Sequence, residues 1–197
     1  MKQLTLLRTA AGLAAIACAV QAQAGSRVFT GSVTGLGIVM PDPGCAPRGR
    51  GNINPTSTTG ISSLGAFTYG HTVCTSGPPG GLIDGTFAIS FGSDGFFGNL
   101  AGTSAANPTM AGIFDFNIAY TIIGGTGRYL GASGAFFTGP GSNANVNFRP
   151  SRITLNFQNG LVTAPGIPEP GTWALLILGF GAVGAAMRQR VVRQAFA

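Results

Sequence analysis

Residues 112–123 read GIFDFNIAYTII, and from Phe114 the apolar side chains fall on every second position: Phe114, Phe116, Ile118 and Tyr120. A β-strand turns successive side chains to opposite faces, so a period of two marks a sheet with one buried face. Phe87, Ile89 and Phe91 repeat the pattern, as do Ile153, Leu155 and Phe157. Working outward, candidate strands run over 27–39, 64–73, 82–91, 95–103, 112–123, 132–138, 145–148 and 153–157. Gly, Pro, Asn and Ser turns separate them. No stretch between residues 25 and 164 sustains a helical period. Glycine supplies 33 of the 197 residues, more than twice the usual share of about 7%. The expectation is all-β: a small Gly-rich antiparallel barrel or sandwich.

Both ends depart from this pattern. Lys2 and Arg8 are followed by the apolar run TAAGLAAIACAV over 9–20, and Ala22-Gln23-Ala24 offers a small-x-small cleavage site before Gly25. Residues 1–24 therefore read as a secretory signal peptide, with Ala22 and Ala24 as the small residues and Gly25 as the first mature residue. Cys18, after Ala15-Ile16-Ala17, offers a lipoprotein alternative, but it lacks the leading Leu of a lipobox and a better cleavage site follows.

At the other end Pro168-Glu169-Pro170 precedes an apolar run over 171–187, and Arg188, Arg190 and Arg193 follow it. As a helix that run extends about 25 Å, near the lower limit for a transmembrane span. Trp173 sits where an interfacial anchor belongs, and the arginines hold the C-terminus in the cytoplasm. The prolines keep the entry extended and open to a protease.

Residues 168–190 resemble the PEP-CTERM sorting tail: Pro168, Glu169 and Pro170, then Trp173-Ala174, an apolar run ending GFGAVGAAM, and Arg188 and Arg190. The resemblance implies recognition and cleavage by exosortase, a membrane-embedded cysteine protease, and an association with exopolysaccharide and biofilm. One departure is the extension VVRQAFA beyond Arg190. The chain thus divides into a signal peptide at 1–24, an exported β domain at 25–164 and a sorting tail at 165–197. The implied route is transient anchoring in the inner membrane, then the cell surface or extracellular matrix. The partners are the secretion machinery, exosortase and exopolysaccharide.

Within the β domain, residues 120–139, YTIIGGTGRYLGASGAFFTG, are similar to a passage of allene oxide cyclase-like and dirigent-like barrels. The resemblance implies a barrel; it transfers no catalytic residue. The net charge of +6 is misleading once the ends are removed. Six arginines against four aspartates remain in the domain, a net +2, which excludes a basic nucleic-acid-binding stripe. No catalytic residue, cofactor or metal site is expected.

Cys45 and Cys74 are the two cysteines left after signal removal, and in an oxidising compartment such a pair forms a disulfide. A metal site from Cys45, His71 and Cys74 is the alternative, but it lacks a fourth ligand. Three motif look-alikes fail on context. Gly179-x-Gly181-x-x-Gly184 lies inside the apolar tail without a preceding strand unit. The GTSAANP run at 102–108 resembles a subtilisin nucleophile segment but has no suitable histidine partner. The Gly124-Gly125-Thr126-Gly127 turn has no lysine for a P-loop and reads as a tight hairpin turn, with Arg128 a solvated charge.

Three functions compete. The first is a non-enzymatic structural or exopolysaccharide-associated module. The second is a barrel binding a small apolar ligand, its aromatics Phe67, Phe87, Phe91, Phe114, Phe116 and Phe136 serving as core or as pocket lining. The third, ice or surface adhesion, would need a flat threonine ladder and finds only Thr56, Thr58 and Thr59. A cavity above about 300 Å³ favours the second reading and a filled interior the first.

Overall fold

A computed structural model describes residues 25–76, 81–165 and 177–181. Among the described residues ten strands follow one another: β1 (Gly25–Pro41), β2 (Gly49–Ile53), β3 (Thr59–Ser62), β4 (Gly65–Thr75), β5 (Gly81–Phe91), β6 (Asp94–Ala106), β7 (Ile113–Thr126), β8 (Ser133–Thr138), β9 (Asn143–Asn145) and β10 (Ser151–Ala164). Every pairing is antiparallel, and β1 pairs with β10 from Gly25↔Ala164 to Gly37↔Ser151, so the sheet closes on itself. β2 and β3 share one place between β1 and β4. β8 and β9 share another between β7 and β10. Ten strands with two shared places give eight positions around an up-and-down barrel. At about this strand number side chains either fill the interior or leave room for one small ligand.

Seven of the eight expected strands appear with their ends moved by a few residues or extended. The strand expected at 145–148 is shifted to β9 at Asn143–Asn145, and β10 runs seven residues past the expected end at 157. β2 and β3 lie in a segment whose polar composition reads as loop. Their sequences GRGNI and TGIS carry one apolar side chain each, too few for a visible alternation. Their glycines are there for close packing. A Cβ on Gly60 would sit 2.5 Å from the Phe67 ring, so this strand crosses directly against an aromatic face.

The β7–β8 connection also differs from a tight hairpin. β7 continues through Thr126, and a 3-10 turn over Gly127–Tyr129 leads on to β8, with Gly127 at φ +58°. Arg128 is not a free solvated charge: its Nε lies 3.2 Å from Asp94 Oδ2, and its guanidinium sits 5.1 Å from the centre of the Tyr129 ring.

The core is a packed aromatic cluster. Phe29, Phe67, Tyr69, Phe87, Phe96, Tyr120, Phe136 and Phe157 are all buried. Tyr120 stacks on Phe136 at 4.4 Å, while Phe29 meets Phe136 edge-on at 5.0 Å. Such pairs add to the burial energy of the rings. The expected threonine cluster does not share a face. Thr58 is buried and bonds to Tyr69 N–H and Tyr69 C=O, Thr56 hydrogen-bonds Asn54, and Thr59 is exposed on β3.

Residues 177–181 are helical and exposed. Among the described residues no helix is long and apolar enough to cross a membrane. The remainder of the expected 171–187 helix lies outside the described residues, as do the signal peptide 1–24 and residues 166–170.

Candidate functional site

The aromatic cluster fills one half of the barrel. Towards the other pole, where β1 ends and β2 begins, inward positions carry Gly37, Gly51, Ser104, Ala144 and Ser151, and these leave a cup of about 510 Å³. Its wall is apolar, with Val73, Ile83, Phe114, Phe116, Ile118 and Ile153. Of the six phenylalanines expected as core or lining, Phe67, Phe87 and Phe136 are core and Phe91 packs against it. Phe114 and Phe116 line the cup. A second depression of about 560 Å³ lies over the 39–49 segment and Ser76, but it is shallower and open to solvent. The cup, enclosed by barrel strands, is the better site.

A chain of polar groups runs beneath the cup. Tyr69, His71 and Val73 project inward from alternate positions of β4. The Tyr69 hydroxyl lies 2.8 Å from His71 Nδ1 and 3.3 Å from the Tyr120 hydroxyl on β7. Burial pushes both tyrosines above their usual range and lowers His71 to about 4. His71 is therefore neutral around pH 7. The residue is half-buried and lines the cup. Ser104 is 5% exposed, lines the cup, and its hydroxyl has no hydrogen-bond partner among the described residues. Arg149 is exposed and contributes the one charged side chain to the described lining.

Cross-links fix the rim. Cys45 and Cys74 are joined in a disulfide, Cα atoms 5.3 Å apart, which ties the β1–β2 connection to the end of β4. Asp42 caps the turn over Pro43–Cys45 by accepting from Gly44 N–H at 2.7 Å. Its carboxylate also takes two contacts from Arg50, Nε at 2.8 Å and Nη2 at 3.1 Å. The Arg50 hydrogen bond, followed by that from Gly44, holds the Asp42 pKa below its ordinary value. Arg48 pairs with Asp84 on β5 and reaches Cys74 C=O.

Gly25, the expected first mature residue, is buried and pairs with Ala164. Both ends of the domain therefore lie side by side at the filled pole, away from the cup. Immediately past this pole the sequence leaves the barrel and enters the region of the tail.

Residues 166–191 are a PEP-CTERM protein-sorting motif. The PEP-CTERM motif indicates an exported protein sorted via the membrane, and implies processing by exosortase. Neither a curated protein nor a solved structure matches the chain. The motif residues Pro168, Glu169, Pro170, Trp173, Arg188 and Arg190 lie outside the described residues, as do Ala22 and Ala24.

Sequence reasoning did not find the chain Tyr120–Tyr69–His71, nor Arg149 at the mouth. The spacing Tyr69-x-His71 placed both side chains on one face of a strand, which was a usable signal. Tyr120, however, joins them from a strand 51 residues away. Ser104 was weighed only as a protease nucleophile, and its place on the cup wall follows from barrel closure.

Proposed function

We propose that residues 25–164 form an exported ligand-binding barrel, sorted and processed through its PEP-CTERM motif and delivered to the cell surface or extracellular matrix. The barrel holds a small apolar molecule in the cup without turning it over. What supports this reading above a purely structural or exopolysaccharide-associated module is the cup: its volume of about 510 Å³ exceeds the roughly 300 Å³ typical of the smallest ligand sites. Binding rather than turnover fits the chemistry of the lining. His71 is neutral and its Nδ1 is engaged by Tyr69, and no carboxylate lines the cup among the described residues.

The binding arm is tested by titrating the mature protein with the fluorescent probe N-phenylnaphthylamine. Wild type should bind it with micromolar affinity, and Ala144→Phe, which places a ring in the cup, should bind at least about tenfold more weakly. Equal binding by both proteins would remove the cup as the site. The sorting arm is tested by the intact mass of the cell-surface fraction. Wild type should lack the residues beyond about 170, whereas replacing Pro168, Glu169 and Pro170 with alanine should leave the full chain in the inner membrane. A wild-type surface form that still contains Trp173 and Arg190 would make the tail an ordinary anchor.

A further inference from the structure

The hydrogen-bond chain beneath the cup has a direction, and the direction specifies the ligand. The Tyr69 and Tyr120 hydroxyls each carry one proton, and both side chains are almost fully buried at 0% and 1% exposure. Among the described residues, the hydroxyl of Tyr120 has only that of Tyr69 as a hydrogen-bond partner. Tyr69 in turn lies between Tyr120 and His71 Nδ1.

Two tautomers are open to a neutral imidazole. In the first, Nδ1–H donates to Tyr69, one of the two hydroxyls donates to the other, and the remaining hydroxyl proton is left buried with no acceptor. In the second, Tyr120 donates to Tyr69, Tyr69 donates to Nδ1, and every buried proton is used. Buried polar groups are almost always satisfied, so the second arrangement holds. Nδ1 then accepts, and the ring proton must sit on Nε2. A cationic ring would carry hydrogens on both nitrogens and force the first arrangement; burial, which lowers the His71 pKa, acts against it. Nε2 has no hydrogen-bond partner among the described residues, and His71 lines the cup.

We infer that the cup recognises its ligand through an acceptor atom: the molecule is apolar, with a carbonyl, ether or similar oxygen at its buried end that receives the Nε2–H of His71. The inference rests on the proposal that the cup binds an apolar ligand. Ser104 does not discriminate in the same way, because a hydroxyl both donates and accepts. Tyr69 and Tyr120 are positioning residues: they fix the tautomer and touch no ligand atom.

His71 is the only histidine of the chain, so a long-range proton–nitrogen NMR spectrum of its imidazole is unambiguous. The expected spectrum shows Nδ1 as the bare nitrogen and Nε2 as the protonated one. The reverse assignment overturns the inference. Binding supplies an independent readout through two probes of one shape, acetylnaphthalene and its isopropenyl analogue, which differ by C=O against C=CH₂. The ketone-over-alkene preference of wild type should fall about tenfold in His71→Phe. It should also fall in Tyr69→Phe, which keeps the histidine but frees its tautomer. An unchanged preference in both variants overturns the inference while leaving apolar binding intact. If neither probe binds wild type, the ligand-binding proposal itself fails.

Discussion

The two halves of the barrel are built from the same strands and differ in the size of what points inward. Along β1 the buried positions pass from Phe29 through Val33 to Gly37. Along β6 they pass from Phe96 through Leu100 to Ser104, and along β10, read backwards, from Phe157 through Leu155 to Ile153, with half-buried Ser151 beyond. These three strands taper in the same direction, whereas β7 carries Phe114 and Phe116 on the cup wall. The same strands run through both halves, so pairing alone does not require the taper. Where side chains are large the interior is a solid aromatic cluster; where they shrink the same cylinder is a cup. On the proposed reading the filled half carries most of the packing stability and the open half the recognition.

The largest effect should come from the filled half. Phe136 is fully buried and contacts Phe29, Phe87, Tyr120 and Phe157 with ring centres 4.4 to 5.3 Å away. Truncating it to alanine removes those contacts and leaves a cavity, at a cost of about 3–5 kcal/mol. Urea denaturation measures this directly. The matching change in the open half, Ala144→Phe, adds a ring where there is empty volume, and should alter stability by less than about 1 kcal/mol while weakening probe binding. If the two substitutions cost the same, the division between the halves is wrong.

This division explains what the sequence made legible. The filled half announces itself, because Phe87, Ile89 and Phe91 recur at a period of two, as a sheet with one buried face requires. The cup does not. It is made by small residues on several strands, and Gly37 or Ser104 looks like any other of its type until the barrel closes. Closure was hidden as well. β10 bends after Gln158, where Asn159 takes φ +53° and the register shifts, so the pattern of Ile153, Leu155 and Phe157 fades although the strand continues to Ala164. The disulfide was legible because it follows from cysteine count and export, without geometry. The tail was legible because a linear motif is written in consecutive residues.

The disulfide sharpens the comparison, since it belongs to the open half yet acts on stability. Cys45 and Cys74 are 29 residues apart, and closing a loop of that length contributes about 3–4 kcal/mol in the chain-entropy account. Replacing both with alanine should lower the urea midpoint accordingly. Because Val39 and Met40, just ahead of the tied segment, line the cup, the same variant should also bind N-phenylnaphthylamine more weakly. Ser26→Ala at the filled pole, an exposed side chain bonded to Thr163 at 2.8 Å, should leave binding unchanged. A loss of stability with full binding would mean that the rim holds its shape without the cross-link.

The smallest effect is a pH dependence seated at the boundary between the halves. His71 titrates near 4 in the folded barrel against 6.5 when exposed, because burial disfavours its cation. Between these values the unfolded chain binds a proton that the native chain does not. Stability is therefore fully present above pH 6.5 and falls as the pH drops towards 4, by about 2–3 kcal/mol once allowance is made for the open cup above the ring. Tyr69 bonds the imidazole and Tyr120 bonds Tyr69, both kept neutral by burial, while Arg149 is the one charged side chain of the described cup lining. Asp42 acts in a different window. Its pKa is lowered by Arg50, so its contribution is present above its unfolded value of 3.8 and is lost only below that. Urea midpoints recorded between pH 4 and 7 should consequently slope for wild type and flatten for His71→Phe. A slope that persists without the histidine would place the titrating group elsewhere, and the floor of the cup would then be no more sensitive to acid than the aromatic half beneath it.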